Sequence, residues 1–502
     1  MTQTITPAPI KHRNLSREQL FRAYGVLLGA AAGDAAGAPF EFGGPGQWSA
    51  RFRSAVHGGF GEMIGGGAFH WAPGEFTDDT QMAVALAESL IACGGLDLDH
   101  LWDQFKAWAH TARDIGVNTG IVLAEDSRHG AAEKAHQMQG ERSASNGCIM
   151  RLGPVGIWGV GRGMDDTVAA AAAQAALTHF DPAAAAGAAI LAETIRRVII
   201  GGSLRGVAEQ VVLELSTHPQ LGPAVAPYAP ILDATFDAEE DIEGPSNGSV
   251  WTALAQALWA VRTTTSFESA IVAAIDLGGD TDTVAAITGS IAGALYGAQR
   301  IPVRWMSTVH GSLRRPDGSV AVYRQEELLN LARQLLGKGR AVNSTPEGPR
   351  GPGQVHPLGV HAANLEGAAG APADHAVVSM CLTEDRFTGR SHHRQLLLHD
   401  EEGDYNADIF FVVRDGVEAI DAFLAEGKEV VVHCHGGRSR TGLLLKAWYM
   451  KREGKSHAEA HAWLAGKWRL YADYNRTFWH FLENEWTEHV AARGDGNGAL
   501  PL

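Results

Sequence analysis

A stretch rich in glycine and proline divides this chain of 502 residues into two parts of different character. It spans residues 337–356 and includes the run Asn343–Gly353, whose composition sustains neither a helix nor a central strand. Alanine-rich segments with helical spacing fill the part before it, and short apolar runs mixed with helix signals follow it. The sequence therefore predicts an all-α domain over residues 16–336, a linker over residues 337–356 and an α/β domain over residues 357–490.

The helical interpretation of the first part rests on capping and periodicity. Ser16 and Gln19 form a capping box ahead of apolar residues at helical spacing. Gly289, Gly293 and Gly297 recur at every fourth position, which favours close packing of helix backbones over a chemical role. The predicted helices are Asp79–Ala92, Val168–Leu177, Ala183–Ile199, Val250–Thr263 and Thr283–Gly297, and the predicted strands are Ala376–Met380, Gln395–Leu398 and Glu429–Val432.

Composition excludes several classes of partner. A net charge of -16 and a pI near 5.7 disfavour attraction to nucleic acid or to an anionic membrane. Met1–Leu20 has no apolar region of the signal-peptide kind, and no run of 18 apolar residues occurs. The four cysteines are scattered without CxxC spacing, so neither a disulfide framework nor a zinc site is predicted. We expect a cytoplasmic protein that contacts neither nucleic acid nor membrane.

Two short acidic clusters, Thr77–Thr80 and Gly279–Thr283, are nearly the same in sequence. Their aspartates and threonines are hard oxygen ligands of the kind that Mg²⁺ and Mn²⁺ prefer. If the fold brings the clusters together, the carboxylates need cations or protons, because two unit charges at about 4 Å cost roughly 4 kcal/mol at an effective dielectric near 20. Each cluster also precedes a predicted helix, so helix capping is the alternative interpretation of either one alone.

Several motifs in the first part occur in the order and spacing of a known family. They are Gly29–Glu41, Thr77–Thr80, Asp114–Gly116, Asn146–Gly147 with Met150–Arg151, Thr178–His179, Gly278–Thr283, and Gly293–Gly297 followed by Ile301–Pro302. This part, roughly residues 20–305, resembles the ADP-ribosylglycohydrolase family, which includes hydrolases of ADP-ribosyl-dinitrogen reductase. The resemblance implies an all-α fold, a cleft with two Mg²⁺ or Mn²⁺ ions, and removal of ADP-ribose from a modified protein.

The resemblance also implies roles for individual residues. Glu41 or Asp114 would position or activate water, while nearby carboxylates stabilise the oxocarbenium character that develops as the C1″ glycosidic bond breaks. Ser145 and Asn118 depart from the family pattern or cannot be aligned with it, which leaves the linkage open. A module that binds ADP-ribose without hydrolysing it is the alternative. The implied metal ligands are Thr77, Asp78, Asp79, Asp280, Asp282 and Thr283, and the implied pocket residues are Glu41, Asp114, Asn146, Gly147 and His179.

A second motif lies in the predicted α/β domain, where an apolar strand leads into the run His433–Gly442. Cys434 ends the strand, and Arg440 lies six positions further on, at the start of a helix. A tight loop containing glycine and a helix N-terminus bind phosphoryl oxygens through backbone N–H groups, and an arginine binds two such oxygens together. The same positive field favours the thiolate form of Cys434, which is a nucleophile.

Residues 357–490 are similar to cysteine-dependent protein tyrosine phosphatases, especially the dual-specificity type. The resemblance implies attack of Cys434 on phosphorus to form a phosphocysteine, with Arg440 holding the transition-state oxygens and no cofactor. A general acid on an upstream loop would protonate the leaving group, and Asp400 is the first candidate for it, with Asp404 and Asp408 as rivals.

Other side chains near this motif have expected roles as well. Ser439 or Thr441 would stabilise the leaving thiolate, and His433 would orient the loop. His392-His393 is interpreted as a solvent-facing pair rather than as a metal site. The expected substrate is a phosphorylated protein or another phosphate ester, and a phosphoinositide, an RNA 5′-phosphate and arsenate are the alternatives.

Overall fold

The computed structural model describes residues 14–239, 246–344 and 347–494, and the chain forms two compact units. The first unit takes in the chain up to Ser54, Glu62–Ile301 and Thr308–Arg340, and the second takes in Ala55–Gly61, Pro302–Ser307 and Ala341 onward. Of the predicted linker, Thr345 and Pro346 lie outside the described residues, as does most of the N-terminal stretch Met1–Leu20. Among the described residues no helix is long and apolar enough to cross a membrane.

Helices form almost all of the regular structure of the first unit, which confirms the predicted all-α class. The described part of the first unit also contains two strands, which pair as an antiparallel hairpin with Gly311 opposite Tyr323. The elements are α1 (Arg17–Gly37), α2 (Gln47–Arg51), α3 (Asp78–Cys93), α4 (Leu98–Ala109), α5 (Val117–Leu123), α6 (Ala131–Met138), α7 (Gly153–Gly159), α8 (Met164–Ala176), α9 (Pro182–Gly201), α10 (Val207–Leu215), α11 (Gly222–Val225), α12 (Val250–Thr263), α13 (Phe267–Asp276), α14 (Thr281–Tyr296), β1 (Gly311–Arg314), β2 (Val320–Tyr323) and, after the short α15 of the second unit (Val303–Met306), α16 (Gln325–Leu335).

Local signals account for the start and the packing of α1. Ser16 and Gln19 form the predicted capping box at its N-terminus. Gly25 and Gly29 face α14 so closely that a Cβ on Gly293 would lie 1.9 Å from the Gly25 carbonyl oxygen. Gly297 follows α14 with a φ of +82°, and a Cβ there would still lie 3.5 Å from the Phe21 carbonyl carbon of α1. The two backbones therefore touch where the glycines allow it.

The same contact brings the end of α1 against the start of α14. A Cβ on Gly37 would lie 2.5 Å from the Thr281 carbonyl oxygen, and the Thr281 hydroxyl donates to the Gly37 carbonyl oxygen at 2.9 Å. The second acidic cluster is therefore placed beside the end of α1 by main-chain packing.

The second unit is built on a five-stranded sheet, which confirms the predicted α/β class. The strand order is β3-β4-β7-β5-β6, with β3 antiparallel to β4 and the other pairs parallel. The elements are β3 (Gly353–His356), β4 (Val360–Asn364), α17 (Leu365–Ala369), β5 (Ala376–Ser379), β6 (His393–Gln395), α18 (Ile409–Ala425), β7 (Val430–Cys434), α19 (Ser439–Glu453), α20 (His457–Lys467), α21 (Arg476–Phe481), the π-helical turn Leu482–Trp486 and α22 (Thr487–Gly494).

Alternation along the strands divides the core between the two faces of this sheet. Val430 and Val432 pack with α18 and α19, whereas Val431 packs with Leu365 of α17 and with Phe387. The structure differs from prediction at two strands: β3 lies inside the segment interpreted as linker, and β6 ends at Gln395, so Leu396–Leu398 is not strand. The apolar side chains of Leu396 and Leu398 instead fill the core from a loop.

We expect Gly293→Ala to destabilise the first unit by about 1–3 kcal/mol, because its Cβ would overlap the backbone of α1. Chemical denaturation of the full chain, followed by circular dichroism, measures this change. Gly201→Ala at the end of α9 is the matched control, since nothing lies within 4 Å of its Cβ. Equal stabilities of the two variants would contradict the close helix contact.

Candidate active sites

The first acidic cluster is fixed by a carboxylate of α1. The Asp34 side chain is fully buried and accepts from the Thr77 N–H at 2.9 Å, the Thr80 N–H at 3.0 Å and the Thr80 hydroxyl at 2.6 Å. Burial raises the pKa of Asp34 to about 6, against the lowering effect of these hydrogen bonds. Asp34 thus holds the turn from which α3 begins.

Asp79 links the two acidic clusters. Its Oδ2 accepts from the Thr77 hydroxyl at 3.1 Å and from the Thr283 hydroxyl at 3.4 Å, so residues about two hundred positions apart meet on one carboxylate. Its Oδ1 is buried and has no hydrogen-bond partner among the described residues. A buried carboxylate oxygen without a donor is costly, and a cation would satisfy it.

The second cluster is held by two asparagines. Asn146 donates to Asp280 Oδ2 at 2.7 Å and to the Asn247 carbonyl oxygen at 2.9 Å. Asn247 in turn accepts from the Asp280 N–H at 3.1 Å and donates to the Gly278 carbonyl oxygen at 2.8 Å. Asn146 therefore acts on Asp280, the residue that precedes α14.

Glu41 and Asp114 converge on the second cluster. Oxygens of Glu41, Asp114 and Asp282 lie within 4.8 Å of one another. The Glu41 loop is tied to the cluster because the Phe42 N–H donates to the Gly279 carbonyl oxygen at 2.7 Å. Glu41 Oε2, like Asp79 Oδ1, is buried without a hydrogen-bond partner among the described residues.

Crowding of these carboxylates shows in their pKa values. Burial, followed by the neighbouring charges of Asp114 and Asp280, raises the pKa of Glu41 to about 8. Burial and the Asp280 charge raise the pKa of Asp114 to about 6. Burial, followed by the charges of neighbouring carboxylates, raises the pKa values of three further aspartates well above their usual range, and these are Asp78, Asp79 and Asp282. Hard oxygen donors and unpartnered buried oxygens fit divalent cations such as Mg²⁺.

His179 lies beside the cluster, with both ring nitrogens bonded inside the protein. Nε2 is 2.7 Å from the Ser145 hydroxyl, and Nδ1 is 2.8 Å from the Thr178 hydroxyl. Burial and the nearby Arg151 lower the pKa of His179 to about 3, so the ring is neutral. A Cβ on Gly147 would lie 3.5 Å from this ring. His179 therefore supports the loop that carries Asn146 and Gly147.

The second motif forms the expected loop between β7 and α19. Cys434 is the last residue of the central strand and is 1 % exposed. Gly437 has a φ of +69° and approaches β4 so closely that a Cβ would lie 2.7 Å from the Ala363 carbonyl oxygen. The hydroxyls of Ser439 and Thr441, at the start of α19, are buried without a hydrogen-bond partner among the described residues.

Arg440 is aimed by main-chain carbonyl groups and meets the first candidate for the general acid. Its Nη1 donates to the carbonyl oxygens of Met380 at 2.6 Å and Leu398 at 3.1 Å. Its Nε lies 3.7 Å from Asp400 Oδ2. Asp400 also accepts from the Tyr474 hydroxyl at 2.8 Å. Burial and then this hydrogen bond raise the pKa of Tyr474 to about 12.

Asp404 and Asp408, the alternative candidates for the general acid, lie at other positions of the same connecting segment. Asp404 is exposed in a turn, and Asp408 precedes the first residue of α18. Asp400 contacts Arg440 directly, with its Oδ2 3.7 Å from Arg440 Nε. The geometry therefore favours Asp400.

A hydrogen-bonded chain of two histidines, the fully buried His433 and the half-buried His393, lies behind Cys434. The Ser379 hydroxyl lies 2.6 Å from His433 Nε2 and 2.8 Å from His393 Nε2, and Phe387 packs beside both rings. The interpretation of His392-His393 as a solvent-facing pair is therefore wrong for His393. His392, just before β6, lies 3.0 Å from Glu426, whereas His393 at the start of β6 contacts Ser379 and Phe387.

Several supporting residues were not among the sequence-based candidates. Asp34 lies within the motif Gly29–Glu41, and the turn residues Ser246-Asn247-Gly248 are a local signal for Asn247. No local signal marks Tyr474, because it reaches Asp400 from a segment 74 positions away. Ser379 is likewise defined only by the strand pairing that brings β5 beside β7.

Comparisons with known proteins find relatives of each unit. The sequence model of the ADP-ribosylglycohydrolase family matches residues 16–344, and that of the dual specificity phosphatase catalytic domain matches residues 376–486. The chain is 33% identical over 327 residues to the ADP-ribosylarginine hydrolase Tri1 of Serratia proteamaculans, covering 64% of this chain and 80% of that protein. It is 30% identical over 295 residues to the ADP-ribosyl-[dinitrogen reductase] glycohydrolase of Rhodospirillum rubrum, covering 59% and 92%. The crystal structure of human DUSP28 is 19% identical, with a TM-score of 0.26, over 29% of this chain and 100% of that one.

We expect the second unit to lose stability as the pH falls below about 6.5, because burial lowers the pKa values of His393 and His433 to about 3. Between these limits the unfolded chain binds protons that the folded chain does not, so each histidine contributes about 1.4 kcal/mol of destabilisation per pH unit. Urea unfolding between pH 5 and 7 measures the slope. His393→Gln should reduce the slope of the unfolding free energy against pH by about one proton, which is about 1.4 kcal/mol per pH unit. An unchanged slope in the folded variant would contradict a neutral His393 ring.

Proposed function

Because the chain belongs to the ADP-ribosylglycohydrolase family and carries a dual-specificity phosphatase catalytic domain, we propose that it removes ADP-ribose from modified protein side chains and hydrolyses phosphate esters at a second site. The observation that carries the first activity is the meeting of the two acidic clusters on Asp79, beside the converging carboxylates of Glu41 and Asp114. A binding module would not need so many unneutralised carboxylates in one place.

The residues of the first site divide the work. Glu41 and Asp114 are the candidates for activating the attacking water, since their raised pKa values suit proton transfer near neutral pH. The two clusters would hold Mg²⁺ or Mn²⁺, whose positive charge would attract and orient the ribose hydroxyls. The proposed ligands are Thr77, Asp78, Asp79, Asp280, Asp282 and Thr283, and we propose two ions. Asn146 and His179 position the loop and Asp280 rather than react.

We propose ADP-ribosylated arginine as the first linkage to test, because Tri1 of Serratia proteamaculans is named an ADP-ribosylarginine hydrolase. A net charge of -16 favours a protein partner over nucleic acid or an anionic membrane. The four free cysteines suit a reducing compartment, so we place the protein in the cytoplasm.

At the second site we propose attack of Cys434 on phosphorus and release of the alcohol or phenol, followed by hydrolysis of the phosphocysteine. Arg440 holds the phosphoryl oxygens, and Asp400 donates the proton to the leaving group. Tyr474 and Arg440 support the placement of Asp400. The unpartnered hydroxyls of Ser439 and Thr441 support a role in stabilising the departing thiolate.

Asp280→Ala should reduce release of ADP-ribose from an ADP-ribosyl-arginine protein by about 100-fold or more, because it removes a ligand and the partner of Asn146. Release measured with Mg²⁺, Mn²⁺ or EDTA tests the proposed metal dependence at the same time. Cys434→Ser is the matched control and should lose phosphatase activity while keeping ADP-ribose release. Loss of both activities in either folded variant would refute independent sites.

Asp400→Asn should lower phosphatase turnover by about 10²–10⁴-fold with an alkyl phosphate, whose leaving group needs a proton. The loss should be much smaller with 4-nitrophenyl phosphate, because that leaving group departs without protonation. Asp404→Asn is the control in the same loop and should have little effect with either substrate. A larger loss in Asp404→Asn than in Asp400→Asn would reverse the assignment.

A further inference from the structure

Three potential metal ligands meet near the end of β7 that lies opposite Cys434. They are His361 on β4, His375 just before β5, and Glu429 just before β7. One ligand atom from each lies within 4.8 Å of the other two. None of the three takes part in either proposed reaction, and they belong to the second unit alone.

The sheet itself creates this group. β7 lies between β4 and β5, so the residue before β7 stands between the two neighbouring strands. Side chains alternate along a strand, and Ala363, Val377 and Val431 form the small core beneath α17. Two positions before each of these core residues, on the same face of the sheet, lies a polar residue. These three positions are close enough to the surface for a polar group to reach solvent. They are His361, His375 and Glu429.

The distances suit a small cation with nitrogen and oxygen ligands. His361 Nε2 lies 2.7 Å and His375 Nε2 lies 3.5 Å from Glu429 Oε2. In a tetrahedral site with bonds of about 2.0–2.1 Å, neighbouring ligand atoms are about 3.3 Å apart. The observed separations lie on either side of that value, so small side-chain rotations would form the site.

We propose that His361, His375 and Glu429 bind one divalent transition-metal ion of the zinc class. Imidazole nitrogen favours Zn²⁺, Co²⁺ or Ni²⁺, whereas Mg²⁺ prefers all-oxygen sites such as the acidic clusters of the first unit. Three protein ligands leave a fourth position open to water. The chain thus carries a nitrogen-containing site in addition to the hard-oxygen site.

The surroundings predict moderate affinity and a structural effect. The Nδ1 atoms of both histidines are buried without a hydrogen-bond partner among the described residues. Metal-binding histidines usually donate from the second nitrogen, and losing that partner weakens metal binding by about 10–100-fold. A bound ion would join β4, β5 and β7, so it should stabilise the sheet that carries Cys434.

The test uses the full chain with Cys434→Ser, which removes the thiol as a competing ligand, in saturating Mg²⁺ to fill the first site. Co²⁺ and Zn²⁺ are then titrated, with stoichiometry from calorimetry and coordination from the visible Co²⁺ spectrum. His361→Gln and Glu429→Gln are compared with His392→Gln. This control removes a histidine that pairs with Glu426 at 3.0 Å and belongs to no three-ligand group in the described chain.

We expect one equivalent of Co²⁺ or Zn²⁺ to be lost in His361→Gln and in Glu429→Gln, and retained in His392→Gln. Metal at a hundredfold excess over its Kd should raise the unfolding temperature of the second unit by roughly 5–10 °C, and only where the site is intact. Equal stoichiometry in all variants, or an equal loss in the control, would overturn the proposal. Glu429 is half-exposed, so Glu429→Gln keeps the test decisive if His361→Gln does not fold.

Discussion

The backbone contact between α1 and α14 is the constraint on which the first site depends. Glycines at matching positions let the helices touch, and the end of α1 then lies against the start of α14. Asp34, on the last turn of α1, holds the first acidic cluster, while α14 begins in the second. This single helix–helix contact therefore positions both acidic clusters, although they are far apart in the sequence.

That packing creates an electrostatic problem. Several carboxylates are buried together, and burial is the largest cause of the raised pKa in each of Asp78, Asp79 and Asp282. Protonation or cation binding are the two ways to relieve the repulsion. Hydrogen bonds reach only some of the carboxylate oxygens of this site. Among the described residues, Asp79 Oδ1 and Glu41 Oε2 have no hydrogen-bond partner, and a cation beside them would offset their charge.

The second unit solves a different problem, that of holding an anion and a nucleophile together. The central strand delivers Cys434, the glycine turn lets the loop close, and α19 begins at once with Ser439. Hydrogen bonds to the carbonyl oxygens of Met380 and Leu398 orient the Arg440 side chain. Its guanidinium group is therefore already positioned to bind two phosphoryl oxygens. The His393–Ser379–His433 chain places two neutral histidines behind the loop, because burial lowers the pKa of each ring.

The sequence by itself determined the class of each part and the reactive motifs, because capping, periodicity and glycine turns are local. The helix Val250–Thr263 begins and ends where its pattern predicts, and Cys434 and Arg440 stand in one short run. Only the tertiary structure decided which distant groups meet: Asn247 with Asp280, Tyr474 with Asp400, and His361 with Glu429. The strand at Gln395–Leu398 was misplaced because an apolar run fills a core equally well from a loop. Such contacts depend on helix packing and strand order, which no local pattern encodes.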